Sequence, residues 1–344
     1  MSFSSNSVIA KARAVFGRSL TAEDYARLSS KESVADVCAE LKRLPRYEKA
    51  LASANPQTIY RGQLEGLLRR AVFDIFESFR KFDFTESKGF FKYIVMRLEI
   101  EQILLAIQSV AGGASDAYIA ALPMFLTDFA QIDLMALGRS RNLVEASEML
   151  RGSVYSKAIG ELLVSAVETG KLDIGECERR LYTQYYMRML KAVDSEYKGA
   201  EQKELRRLIL RSIDMENVVT LYRYSRIFKT DSEGLPEKLI HFKYRLSEEV
   251  IERLAGYGDA GKIAAELSKL GYRLDSEPPK DVELLTERIS LDFLKKTLRL
   301  SRSSSVVYFA LTECLEIELK NIITIIEGIR YGLEGAAILD MLVT

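Results

Sequence analysis

Three pairs of a carboxylate and a side-chain amide are the residues of this chain most suited to chemistry. Each pair lies in an apolar segment with its members three residues apart: Glu99 with Gln102, Asp214 with Asn217, and Glu318 with Asn321. On a helix this spacing places both side chains on one face. A buried carboxylate beside an amide could move a proton while the amide orients a substrate.

The repetition of this pair changes its interpretation. The flanking residues agree in all three copies, and the amides lie 115 and 104 residues apart. A catalytic site seldom occurs three times in one chain with small variations. Buried polar groups more often bond to a neighbouring helix or loop backbone and fix its geometry. We therefore predict buried hydrogen bonds, without turnover, at all six residues.

A second repeated pattern precedes each pair. It is a short amphipathic segment, found at 34–41, 143–150 and 263–270, and it is followed by Tyr47, Tyr155 and Tyr272 respectively. The order of short helix, long helices and carboxylate–amide pair is thus preserved in each third of the chain. Internal repeats of this kind define the architecture. We predict three helical repeats, at 1–123, 124–236 and 237–344.

The spacing of apolar residues predicts the elements that position these pairs. Apolar residues recur every three or four positions, strand patterns are nearly absent, and the chain has only six prolines. These features indicate an all-α fold. The segments that carry the pairs are apolar on nearly every side, which is typical of a buried core helix. Each repeat is therefore expected to be a bundle around one central helix.

Composition excludes several functions. Forty-nine Lys and Arg balance 49 Asp and Glu, which argues against a polyanion-binding protein. Cys38, Cys177 and Cys314 are far apart without a CxxC spacing, so we predict buried cysteines in a reducing cytoplasm. The one histidine, His241, cannot build a metal site alone, and nucleotide-binding motifs are absent. We predict no cofactor and no metal.

The sequence also predicts a soluble protein. Its longest uncharged stretch, 102–115, is shorter than the ~20 residues that a membrane-spanning helix requires. The first 16 residues contain no apolar core of a secretory signal.

Basic residues are concentrated in two places. One lies around Arg206, Arg207 and Arg211, within a segment from 203 to 245 that holds more basic than acidic residues. The other is formed by Lys295, Lys296, Arg299 and Arg302. Both could be ordinary solvated helix faces. Alternatively, they could form a basic rim that meets an acidic partner or membrane headgroups.

Several of these segments resemble the C subunit of the V-type (A-type) ATPase family, whose eukaryotic member is called the d subunit. The resemblance rests on Ala12-Arg13-Ala14, on Arg18-Ser19-Leu20-Thr21, and above all on the helices at 214–223 and 318–333. In the family, an acidic-x-x-Asn-aliphatic helix is followed by a basic residue, here Arg226 or Arg330. The first repeat departs from this pattern, because it has Gln102 in place of Asn and lacks the Arg.

The resemblance implies a fold and a function. The family fold is a funnel of three similar helical bundles about a pseudo-threefold axis. Its role is a non-catalytic socket on the cytoplasmic face of the membrane, where it joins the central stalk to the rotor ring and transmits torque. The implied partners are therefore the other stalk proteins and the ring, and the implied localisation is cytoplasmic and peripheral. Possible partner-facing residues are Arg206, Arg207, Arg211, Arg226 and Arg330.

An alternative function remains open at the level of sequence. An all-α repeat scaffold for protein assembly, unrelated to rotary ATPases, would show similar periodicities, although its repeats are usually shorter. The sequence also leaves open proton versus sodium transport, and ATP-driven pumping versus ATP synthesis.

Overall fold

The structure is a computed structural model that describes residues 3–80, 90–227, 234–242 and 244–344. These residues contain α-helices and no strand, which confirms the all-α prediction. The chain divides into two compact units. Unit 1 combines Met1–Lys88 with Arg245–Thr344, and unit 2 is Gly89–Tyr244. The three repeats and their funnel arrangement stay predictions.

Unit 1 contains nine helices in its described part. They are α1 (Phe3–Phe16), α2 (Ala22–Ser29), α3 (Val34–Leu41), α4 (Arg61–Arg80), α14 (Glu248–Gly256), α15 (Ala260–Lys269), α16 (Val282–Leu300), α17 (Ser304–Arg330) and α18 (Gly335–Asp340).

Helix α17 is the centre of unit 1. It packs against α1, α2, α3, α4, α16 and α18. Its apolar residues Val306, Leu311, Ile322 and Ile325 are fully buried, as expected of a helix that is apolar nearly all round. Gly328 lets α18 approach closely, since a Cβ there would lie 2.7 Å from the Ile338 side chain. The N-terminal helices therefore share one core with the C-terminal ones.

Unit 2 contains the remaining helices. They are α5 (Phe90–Ala111), α6 (Ser115–Ala121), α7 (Met124–Thr127), α8 (Leu134–Gly138), α9 (Leu143–Met149), α10 (Ser156–Thr169), α11 (Ile174–Glu196), α12 (Gly199–Tyr222) and α13 (Leu235–Lys238). A π-helical turn, Arg223–Ile227, follows α12.

Helix α5 has the central position in unit 2. It packs against α6, α7, α8, α9 and α11, and Ile100, Ile103 and Ile107 on it are fully buried. Polar N-caps start the surrounding helices: the side chains of Asp133, Asn142 and Asp173 accept backbone hydrogen bonds at the starts of α8, α9 and α11. Each of these helices thus begins at a residue that its own sequence specifies.

Two further sequence predictions concern burial and membranes. Cys38, Cys177 and Cys314 are buried and unpaired, as predicted for small apolar side chains. In the part of the chain that the structure describes, no helix is long and apolar enough to cross a membrane.

Candidate functional site

The first site is built around Glu318, in the middle of α17, and we call it the Glu318 site. The carboxylate is only 4% exposed. Its Oε1 accepts a hydrogen bond from the Tyr47 hydroxyl at 2.9 Å, and its Oε2 accepts one from the backbone N–H of Leu20 at 3.0 Å. The Arg46 Nε lies 2.9 Å from Oε1, as an ion pair rather than an aligned hydrogen bond. The carboxylate therefore has three partners, one of them a cation.

Local structure in the N-terminal segment holds these partners in place. Thr21 and Asp24 form a capping box at the start of α2, which orients the backbone beside Leu20. The Arg46 side chain is 3% exposed, and its Nη2 donates to the Val15 carbonyl at 2.9 Å and to Ser19 Oγ at 3.1 Å. The Glu318 site thus joins the first 47 residues of the chain to its last long helix.

The second site is built around Glu99 in α5, and we call it the Glu99 site. Glu99 has no exposed surface. Its Oε2 accepts a hydrogen bond from the Tyr155 hydroxyl at 2.5 Å, and its Oε1 accepts one from the backbone N–H of Gln131. The Ile132 N–H also bonds to this carboxylate. Among the described residues, no basic side chain pairs with Glu99.

The pKa of Glu99 reflects this environment. Burial raises the pKa above its ordinary value of 4.5, while the hydrogen bonds from Tyr155, Gln131 and Ile132 oppose the increase. The pKa of Tyr155 is raised by its own burial and by the negative charge of Glu99. The tyrosine therefore stays protonated and donates to the carboxylate.

Two of the three amides also bind backbone. Asn321 Nδ2 donates to the Val343 carbonyl at 2.7 Å, and the Val343 N–H donates back to Oδ1 at 2.9 Å. Asn217 exchanges the same two bonds with Ile240, at 3.0 and 2.8 Å. Gln102, which is half-buried, makes no such pair of bonds within the described ranges. The repeat that departs from the Asn pattern in sequence therefore also departs in structure.

The remaining carboxylate, Asp214, is fully buried in α12. Of the six residues singled out by sequence, all but Gln102 are thus buried on long helices. At Glu99 and Glu318 both carboxylate oxygens are occupied, and neither residue is open to solvent. This arrangement suits the fixing of helix geometry better than the binding of a substrate.

Sequence reasoning missed several partners of these carboxylates. In the sequence, Tyr47 and Tyr155 stand out only because they follow the repeated short segments, whereas in the structure both donate directly to a carboxylate. Arg46 gave no signal, because the positions before Tyr155 and Tyr272 hold Val154 and Gly271 instead of a basic residue. Backbone donors such as Leu20 cannot be recognised from residue type.

The basic residues proposed to face a partner differ in exposure. Arg206 and Arg207 are exposed on α12, and Arg206 forms an ion pair of 2.7 Å with Asp194. Arg226 is exposed in the π-helical turn, and Arg330 is exposed and 3.5 Å from Glu327. Arg211 is only 9% exposed, so it adds little to any surface.

No metal centre is formed by the part of the chain that is described. It contains no group of three or more His, Cys, Asp or Glu side chains placed to hold a metal ion. His241 is exposed, and its Nε2 lies 3.4 Å from the Arg179 guanidinium.

The fold and the two sites define an all-α protein in which each unit is built on one long buried helix fixed by a carboxylate. The chain belongs to the ATP synthase (C/AC39) subunit family, whose sequence model matches residues 8–341. It is similar to the C subunit of the A-type ATP synthase of Thermococcus gammatolerans, with 25% identity over 221 residues. That alignment covers 62% of this chain and 56% of the relative, so the chain spans little more than half of the relative's length. The resemblance inferred from the motifs is thereby confirmed.

Proposed function

We propose that this protein is a non-catalytic central-stalk component of a V/A-type rotary ATPase. It would act as a socket that couples the central stalk to the membrane rotor ring during ATP-driven ion transport or ATP synthesis. The observation that carries this proposal is the family match, which extends over nearly the whole chain. In this role the protein lies on the cytoplasmic face of the membrane and is held there by its partners.

The geometry of the two units supports a part that transmits torque. Such a part must resist shear, and densely packed interiors deform little. In unit 1, Glu318 fixes the 27-residue helix α17 to Leu20, Arg46 and Tyr47 at its middle. In unit 2, Glu99 fixes α5 to the segments before α8 and α10 through hydrogen bonds. Each central helix is thus held by a polar contact near its middle.

Exposed basic residues supply a surface for partners in this proposal. Arg206 and Arg207 on α12, together with Arg226 and Arg330, are the proposed contacts to acidic groups of the stalk or ring. Because such contacts are electrostatic, they weaken with added salt.

Co-purification from native membranes tests the proposal. The full chain, carrying an affinity tag, is expected to recover the catalytic, stalk and ring proteins of a rotary ATPase. The double variant Arg206→Glu, Arg207→Glu is expected to reduce this recovery across a salt series. The matched control is Arg139→Glu, Arg141→Glu, which reverses two exposed charges elsewhere in unit 2.

Two results would contradict the proposal at different levels. Recovery of the chain without any rotary ATPase protein would contradict the proposed role of this family member in such an assembly. Normal recovery of the complex with both double variants would leave the socket function standing and remove Arg206 and Arg207 from the interface.

A further inference from the structure

The turn between α16 and α17 presents the most exposed large apolar side chain of the described residues. Leu300 is 78% exposed at the end of α16, and Arg299 and Arg302 beside it are also exposed. We call this surface the α16–α17 corner and define it by Arg13, Lys295, Arg299, Leu300 and Arg302. A single exposed Leu is common on protein surfaces. Whether Leu300 belongs to a binding surface therefore depends on the charges around it.

The charge of the α16–α17 corner is strongly positive. Within the described ranges, Arg13, Lys295, Arg299 and Arg302 form no ion pair with an acidic side chain. The neighbouring Lys296 is paired, at 2.7 Å, with Asp275. By contrast, most of the basic residues around the Glu40 and Glu266 side chains of unit 1 are neutralised by ion pairs. The corner therefore complements an acidic surface.

The α16–α17 corner is also held in a fixed conformation. Arg13 Nε donates to the Leu298 carbonyl at 3.1 Å, and its Nη2 donates to the Ser301 carbonyl at 2.8 Å. The Ser301 N–H bonds to the Thr297 carbonyl at 2.9 Å, and Leu298 is fully buried beneath the turn. Arg13 thus bonds to carbonyls at the end of α16, and Arg299 and Arg302 are exposed to solvent. A surface fixed in advance loses little entropy when it binds.

We propose that the α16–α17 corner is a docking surface for an acidic segment of another protein, with Leu300 inserted into an apolar pocket of that segment. The inference rests on the proposed function, because the partner is expected within the same membrane-bound assembly. Arginine is enriched at binding hot spots, and a central apolar contact excludes water from the charges around it. A membrane surface fits less well, since peripheral helices bind lipid through a broad apolar face, and the corner exposes a single large apolar residue.

A triple variant tests this surface in the intact chain. Arg299→Glu, Leu300→Ser, Arg302→Glu is expected to lower recovery of the native complex by about tenfold or more. The matched control in unit 1 is Lys49→Glu, Tyr60→Ser, Arg273→Glu, which changes two exposed charges and one exposed ring at other places. Cys314 in α17 reports on folding, because it must stay protected from thiol reagents in both variants.

A photo-crosslinker identifies the partner directly. The full chain with Leu300→benzoylphenylalanine is assembled into the native complex, irradiated and digested for mass spectrometry. The expected product joins position 300 to a peptide of a rotary ATPase protein that is rich in Asp or Glu. Crosslinks only to basic or uncharged peptides would overturn the proposal.

Further outcomes separate this inference from its alternatives. If the triple variant and its control assemble equally well with the complex, the docking surface is wrong and the proposed function stands. If the wild-type chain recovers no rotary ATPase protein, the proposed function fails and this inference fails with it. If the wild-type chain binds protein-free phosphatidylglycerol vesicles and the triple variant does not, the corner binds lipid and the protein partner is excluded.

Discussion

The Glu318 and Glu99 sites use the same motif but stabilise their carboxylates differently. Both carboxylates are buried on a central helix, and both accept bonds from a tyrosine hydroxyl and from backbone N–H groups. Only Glu318 has a cation, Arg46, within the site. Glu99 relies on hydrogen bonds alone, and burial raises its pKa.

This difference shows what a buried carboxylate requires. Removing a charge from water is costly, and that cost is offset by a counter-charge, by several hydrogen bonds, or by both. At the Glu318 site the counter-charge makes the carboxylate necessary, since Arg46 would otherwise be buried alone. At the Glu99 site no cation depends on the negative charge. The same substitution should therefore have unequal effects in the two units.

The largest effect is expected from Glu318→Gln. This substitution leaves the Arg46 cation buried without a carboxylate, and breaking a buried ion pair costs about 3–5 kcal/mol of the free energy of unfolding. Glu99→Gln is the matched control, because a glutamine there can still accept from backbone and bond to Tyr155. It is expected to change the free energy of unfolding of unit 2 by less than about 1 kcal/mol.

Native cysteines allow each unit to be measured separately. Cys38 and Cys314 lie in unit 1, and Cys177 lies in unit 2. Burial raises the pKa of Cys177 to about 11 and that of Cys314 to about 12, and both side chains are buried, so we expect labelling of each thiol to require unfolding. Pulsed thiol labelling along a urea gradient then gives one unfolding midpoint for each unit. If Glu318→Gln and Glu99→Gln lowered the free energy of unfolding of their units equally, the distinction between the two sites would be refuted.

The sequence predicts more of the fold than of the two sites. Helical periodicity and caps such as Asn142 depend on neighbouring residues, so they can be recognised locally. The burial of Glu99 and Glu318 could be expected from their apolar helices. Arg46 could not, because it meets Glu318 across 272 residues of chain and only folding brings them together. The repeat pattern likewise does not predict that the N-terminal segment lies in the same unit as α17.

A second prediction compares the amides of the two sites. Asn321→Ala leaves the buried N–H and carbonyl of Val343 without their partners, which should cost unit 1 about 2–4 kcal/mol. Gln102→Ala in unit 2 removes no comparable pair of bonds and should cost less than about 0.5 kcal/mol. The midpoints of Cys314 and Cys177 labelling in urea measure both. A loss at Gln102 as large as that at Asn321 would mean that the first repeat has an equivalent amide contact after all.

The smallest expected effect is a change in how the stability of unit 2 depends on pH, caused by Glu99→Gln. Because the pKa of Glu99 in the folded protein is raised above 4.5, the folded state binds this proton more tightly than the unfolded state does. The contribution of Glu99 to stability is therefore greatest at acidic pH and declines as pH rises through the folded pKa. Glutamine does not titrate. As pH increases from 4.5 towards neutrality, the urea midpoint of Cys177 labelling in the variant should therefore rise relative to the midpoint in the wild type.

The Cys314 midpoint is the internal control for that experiment, since Glu99 lies in the other unit. It should follow the same pH curve in the wild type and in Glu99→Gln, with every labelling pulse performed at one pH. A Cys177 midpoint in the variant that instead falls relative to the wild type as pH rises would mean that hydrogen bonds from Tyr155, Gln131 and Ile132 outweigh burial. The Glu99 carboxylate would then stabilise unit 2 through its charge, as a cation-free equivalent of the Glu318 site.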